Sequence, residues 1–235
     1  MKQYIVIDLE MNPVAKMNKD ARKKLHREVI EIGAVRLNED CSVIDEFRCY
    51  VRPQYNKEII PFITDLTGIN AYDTCTASDF SSALKKFEKW VGYDDETIVY
   101  SWSTSDLVQI QKECKYKQIE MPENILNWVD FQALYTEVMG YSQEHKQIAL
   151  HTAAEHFALQ MDTEKTHSAL YDAEITTELL TAVLTGEYEE QKELLHNTVL
   201  KEPEETGFSI GDCCGGILQQ LLYQMNEERE VVSLR

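Results

Sequence analysis

Tyr4-Ile5-Val6-Ile7-Asp8-Leu9-Glu10 is the stretch on which the reading of this chain turns. It is short, rich in β-branched residues and closes on two acids one residue apart, the pattern of a buried strand rather than a helix. Strand alternation places Asp8 and Glu10 on the same face. Two carboxylates side by side on an apolar strand are costly unless a cation neutralises them, and an Asp-x-Glu pair of hard oxygen ligands suits a divalent ion such as Mg²⁺. The same run is too short for a signal-peptide core and has no small-residue cleavage site after it. No stretch approaches the roughly 18 apolar residues needed to cross a bilayer, so no targeting or spanning segment is expected.

Outward from this strand, apolar runs over residues 29–37 and 43–51 read as two further strands joined by a turn at Asn38-Glu39-Asp40. Pro61 and Gly68 mark short helical or turn segments. Phe80, Ala83, Leu84, Phe87 and Trp90 recur at helical spacing behind Ser78 and Asp79 and before Gly92, which predicts a capped amphipathic helix. Strands over 97–100 and 127–129 and helices over 106–116, 148–159 and 167–184 complete the pattern, with one more helix running up to Met139. Three strands followed by strand-helix alternation predict an α/β fold: a mixed β-sheet of about five strands flanked by helices. From Gly186 the texture changes. Residues 187–235 carry 11 acids against Lys192, Lys201, Arg229 and Arg235, and are expected to form an acidic extension, partly helical at 217–225, behind a main domain over 1–186.

The whole chain of 235 residues has a formal net charge of -18, which in bulk repels nucleic acid and anionic membranes. Locally the balance inverts. Between Met11 and Arg27 stand Lys16, Lys19, Arg22, Lys23, Lys24 and Arg27 against Asp20 alone. That segment is either an arm or short helix that tracks phosphates or a solvated basic loop. The cysteines, Cys41, Cys49, Cys75, Cys114, Cys213 and Cys214, form no CxxC pair and no zinc-finger spacing, so a reduced, cytoplasmic protein without a structural zinc or disulfide framework is expected.

Three more residues extend the chemistry. Asp106 follows the strand at 97–100 and lies in the first turn of a helix, where an acid complements the helix dipole or reaches a metal. His167 and Asp172 sit five apart at the start of another helix, sharing a broad face. Alone, each reads as a capping histidine and a solvated acid. Together with Asp8 and Glu10 they make four carboxylates and a base that titrates near neutrality, the set that phosphodiester hydrolysis with two metal ions requires.

In order and context, these residues resemble the DEDDh branch of the DnaQ-like 3′-to-5′ exonucleases of the RNase H-like superfamily. The matching motifs are Val6-Ile7-Asp8-Leu9-Glu10, Asp106, and His167-x-Ala169-x-x-Asp172-Ala173, with Glu31-Ile32-Gly33-Ala34-Val35, Val51-Arg52-Pro53 and Leu66-Thr67-Gly68-Ile69 between them. The likeness spans residues 4 to about 185 and is strongest to the ERI-like and KapD-like group. It implies that Asp8, Glu10, Asp106 and Asp172 hold two divalent cations, Mg²⁺ or Mn²⁺, and that His167 is the general base. It also implies that the segment Leu66-Thr67-Gly68-Ile69 contacts the terminal nucleotide, with Leu9 and Met11 beside the first motif, while Trp102 is either a stacking platform for a base or a core aromatic. Met11-Asn12-Pro13 departs from the Thr-Thr or Thr-Gly that many relatives carry after the first motif. The implied activity is removal of nucleotides from a single-stranded 3′ end, RNA favoured over DNA, releasing 5′-monophosphates. A DNA-directed proofreading-type exonuclease and a regulatory or scaffold protein on the same fold are the alternatives. The acidic extension is the expected surface for a protein partner, and no membrane contact is expected.

Overall fold

The structure, a computed structural model, describes residues 2–93, 96–141, 148–162 and 165–199. Five strands form one mixed sheet in the order β3-β2-β1-β4-β5. They are β1 (Lys2–Pro13), β2 (Arg27–Asn38), β3 (Val43–Tyr50), β4 (Glu96–Ser101) and β5 (Trp128–Asp130). The first three pair antiparallel, while β4 and β5 run parallel to β1. The turn between β2 and β3 is held by the Asn38 side chain, which accepts hydrogen bonds from the backbone N–H of Asp40 and Ser42. β1 is central, and its alternate residues Ile5, Ile7 and Leu9 bury against Phe80, Leu84, Phe87 and Ile110 on one face of the sheet.

Those partners come from α4 (Phe80–Val91) and α5 (Ser105–Lys117). The helix predicted behind Asp79 is α4: the Asp79 side chain accepts from Ser82 N–H, and Gly92 ends the helix at a φ of 75°. Before it come α1 (Lys19–Lys24), α2 (Pro61–Thr67) and α3 (Ala71–Cys75). Asn12, buried within β1, ties the approach to α2 in place by donating to the carbonyls of Asn56 and Glu58 and accepting from Ile60 N–H. A second internal network crosses from β2 to α5. Lys117 reaches Glu28 at 3.0 Å and Glu113 at 2.7 Å; Glu28 also takes the N–H groups of Gln54 and Tyr55, and Glu113 that of Val29.

The opposite face of the sheet is covered by α8 (Ala169–Thr185), after α6 (Phe131–Val138) and α7 (Leu150–His156). α8 begins two residues later than the spacing predicts, because His167 takes a left-handed backbone conformation with φ at 64° and cannot continue a helix. α9 (Tyr188–Val199) was not legible as a helix. One compact unit extends to Glu193. The helix expected at 217–225, and Cys213 and Cys214, lie outside the described residues. Among the described residues, Cys41, Cys49, Cys75 and Cys114 are free thiols, and no helix is long and apolar enough to cross a membrane.

Candidate active site

Register builds the site before any side chain does. In the pairing of β1 with β2, Asp8 stands opposite Gly33 and Glu10 opposite Glu31, and the register shifts between Glu10 and Met11. The bulge turns the strand just past its acids, a common device beside reactive sites. Gly33 has no side chain because none fits: a Cβ there would lie 2.1 Å from the backbone nitrogen of Leu170 and 2.2 Å from the carbonyl carbon of Ala169. The start of α8 therefore rests directly on the sheet beside Asp8. Glu31 fixes it from the next pleat. One carboxylate oxygen accepts Ala169 N–H at 3.0 Å, supplying the cap that Ser168 does not, and the other takes Arg48 Nε at 2.5 Å.

The remaining acids arrive from two helix N-termini. Asp106 is buried in the first turn of α5, where its carboxylate takes hydrogen bonds from its own backbone, from the Ser105 hydroxyl and from the Leu9 backbone on β1. Asp172 lies in the first turn of α8 and accepts from the backbone N–H of His167, but its Oδ1 is buried and meets no donor among the described residues. Ligand atoms of Glu10, His167 and Asp172 all lie within 4.8 Å of one another.

Crowding shows in the ionisation of all four acids. Asp8 is held well above the usual carboxylate range, by burial first and then by repulsion from Asp106, Glu10 and Asp172. Burial, with Asp172 and Glu31 beside it, raises Glu10 to about 9. Burial likewise lifts Asp106 to about 7 and Asp172 to about 6. Desolvation pushes His167 the other way, below its ordinary value, which keeps the ring neutral and able to accept a proton. An all-oxygen acid cluster with an unsatisfied buried oxygen fits divalent cations: among the described residues no cationic side chain pairs with Asp8, Glu10, Asp106 or Asp172.

The structure thus brings together the five residues expected to carry the chemistry. The expected nucleotide contacts fare differently. Leu9 is buried in the main core and Met11 packs against it. Ile69 buries with Ile30 and Ile59, so its side chain packs within the fold. Trp102 is 9% exposed and its ring leans on Phe131 and Tyr135, a wall of the fold rather than an open stacking platform. Leu66 and Thr67 are half-buried at the end of α2, and Gly68 is exposed in the left-handed cap, leaving this segment open to a ligand. In the sequence Glu31 and Gly33 are motif residues of a strand; their roles as cap and as close-approach point arise from the tertiary contact with α8.

This sheet order, with carboxylates gathered from the central strand and two helix starts, is the DEDDh exonuclease fold. The chain matches the nuclease domain of 3′hExo, a DEDDh family member bound to rAMP, with a TM-score of 0.68 at 22% identity, over 79% of this chain and 92% of that one. The chain belongs to the exonuclease family (RNase_T), whose model matches residues 5–180. Among curated proteins it is similar to ERI1 exoribonuclease 2 of Danio rerio, 29% identical over 180 residues, which are 68% of this chain and 32% of that protein. It is also similar to 3'-5' exoribonuclease 1 of Rattus norvegicus, 28% identical over 155 residues, 62% of this chain and 44% of that one. The chain spans about a third or less of the length of the ERI1 exoribonuclease 2 proteins it matches.

Proposed function

We propose that this protein is a metal-dependent 3′-to-5′ exonuclease acting on single-stranded RNA, releasing nucleoside 5′-monophosphates. The observation that carries the reading is the convergence of Asp8, Glu10, Asp106, Asp172 and His167 on one site, with Asp172 Oδ1 buried and unpartnered. Asp8, Glu10, Asp106 and Asp172 would hold two divalent cations, Mg²⁺ or Mn²⁺. Bound there, such ions supply the charge that activates a water and stabilises the leaving 3′ oxygen. His167, neutral and outside the helix that follows it, takes the proton of the attacking water. The new P–O bond forms as the P–O3′ bond breaks, and the leaving 3′ oxygen takes a proton from solvent to become the 3′-hydroxyl of the shortened strand. Glu31 and Gly33 hold the start of α8, and with it Asp172 and the histidine, against the sheet.

RNA is preferred in this reading because the similar curated proteins are named exoribonucleases. A 5′-labelled single strand incubated with Mg²⁺ or Mn²⁺ should yield a ladder of shortened products, and Asp8→Ala should abolish it. No ladder, or equal activity in the variant, defeats the proposal. Matched RNA and DNA strands separate the exoribonuclease from a DNA-directed enzyme on the same chemistry.

A further inference from the structure

The net charge of -18 conceals one strongly basic surface, and the structure shows it to be built rather than slack. β1 and β2 run on past the acids as far as Pro13 and Arg27, which pair with each other, and Val14 N–H donates to the His26 carbonyl at 3.0 Å. Between them α1 is clamped by Val14, Ala21 and Leu25, which bury against Tyr55 and Tyr116. The Asn18 side chain adds a hydrogen bond to the Tyr55 carbonyl. Apolar residues thus fix the backbone of a segment whose charged side chains point outward.

Lys16, Lys19, Lys23, Lys24 and Arg27 are exposed. Among the described residues the one ion pair in this segment is Lys23 with Asp20 at 3.9 Å, open to solvent. Lys16, Lys19, Lys24 and Arg27 face water without a carboxylate partner among the described residues. Pro13 lies three residues beyond Glu10, about 10 Å at the rise of an extended strand. A fixed cationic surface therefore begins about one strand-end away from an acid cluster that by itself repels polyanions.

We propose that this basic platform, β1–α1–β2 from Lys16 to Arg27, binds the phosphate backbone of single-stranded RNA upstream of its 3′ end. The inference rests on the exonuclease reading and adds to it the path of the strand. Phosphates several nucleotides from the cut engage cations whose backbone is already ordered, so little conformational entropy is lost on binding. The platform matters only to a substrate long enough to reach it.

The test compares kcat/KM for the full chain on RNA of about 20 nucleotides with that on RNA of about four, bracketing the site sizes usual for single-strand grooves. Wild type is set against a Lys16→Glu, Lys19→Glu, Lys23→Glu, Lys24→Glu variant, and against the same four positions changed to Gln in case charge reversal disturbs folding, which circular dichroism reads. The long-to-short ratio should fall at least tenfold in the Glu variant and less in the Gln variant. With about three phosphate contacts, the wild-type ratio should itself drop roughly 20-fold between about 50 and 200 mM salt, and the Glu variant should lose most of that dependence. An unchanged or increased ratio in folded variants overturns the inference and leaves an acidic protein segment as the surface's partner. Absence of a ladder from wild type on either RNA refutes the exonuclease reading instead, so the two failures are distinguishable.

Discussion

Gly33→Ala adds one methyl group, and its consequence can be worked from two distances. The new Cβ would lie 2.1 Å from the Leu170 nitrogen and 2.2 Å from the Ala169 carbonyl carbon, whereas real Cβ contacts essentially never fall below 3.0 Å. Both obstacles are backbone, so no side chain can swing aside. Either the start of α8 or strand β2 must retreat by about 0.9 Å. The helix is the softer of the two, because β2 is paired on both sides while the first turn of α8 is pinned mainly through Glu31. Overpacking of this kind costs about 1–3 kcal/mol. In a domain this size that is a loss of about 2–4 °C in Tm per kcal/mol. The functional cost is larger, since Asp172 rides on the displaced turn and a misplacement near 1 Å in a reacting constellation costs about a hundredfold in rate. Single-turnover cleavage of a labelled RNA strand, with Tm from differential scanning calorimetry, measures both. A variant with a lowered Tm but kcat within twofold of wild type would refute the idea that this close approach sets the site.

Other consequences follow from the charged interior. Lys117→Met strands Glu28 and Glu113 in the core without their cation and should destabilise the fold by about 3–5 kcal/mol in urea unfolding; a loss under 1 kcal/mol would show that the two carboxylates are satisfied by backbone N–H groups alone. Without metal, the folded forms of Glu10, Asp106 and Asp172 hold protons to about 9, 7 and 6, and Asp8 is shifted the same way. In the unfolded chain these groups ionise near pH 4, so the fold binds more protons between about pH 5 and 9 and loses stability as pH rises through that window. Tm in EDTA should therefore fall from pH 5.5 to 8.5 and the decline should flatten in saturating Mg²⁺; a metal-free Tm that climbs with pH over this range contradicts the crowding. His167→Ala should lower kcat by about 10²–10⁴-fold while calorimetric Mn²⁺ affinity stays nearly intact. Parallel losses of affinity and rate would make the histidine a metal ligand, which its nearness to Glu10 and Asp172 also permits.

What was legible in advance was what local pattern carries. A short β-branched run marked residues 4–10 as a strand whose alternation puts two acids on one face, and Asp79 and Gly92 bracketed a helix that folds between them. Positions whose meaning lies in a distant segment stayed hidden. Glu31 reads as one more strand residue until α8 supplies an N–H for it to accept, and Asn12 as a departure from a motif until Asn56, Glu58 and Ile60 close around it. Aromatic and aliphatic residues near the site stay ambiguous in the sequence for the same reason. Trp102 and Ile69 look available in the sequence, and only the packing of Phe131, Tyr135, Ile30 and Ile59 shows that they are taken. α9 escaped because its apolar positions are sparse and its opening turn is acidic, so periodicity gives little signal.

The scattered origin of the acids has a consequence for how such an enzyme is made. Asp8 and Glu10 leave the ribosome early, Asp106 near the middle, and Asp172 only with α8, whose first turn must then find Glu31 and Gly33 on a hairpin formed long before. Until that late helix docks, the nascent chain carries three of the four carboxylates and no base. On the reading proposed above, a chain synthesised beside RNA completes its catalytic set only when α8 docks.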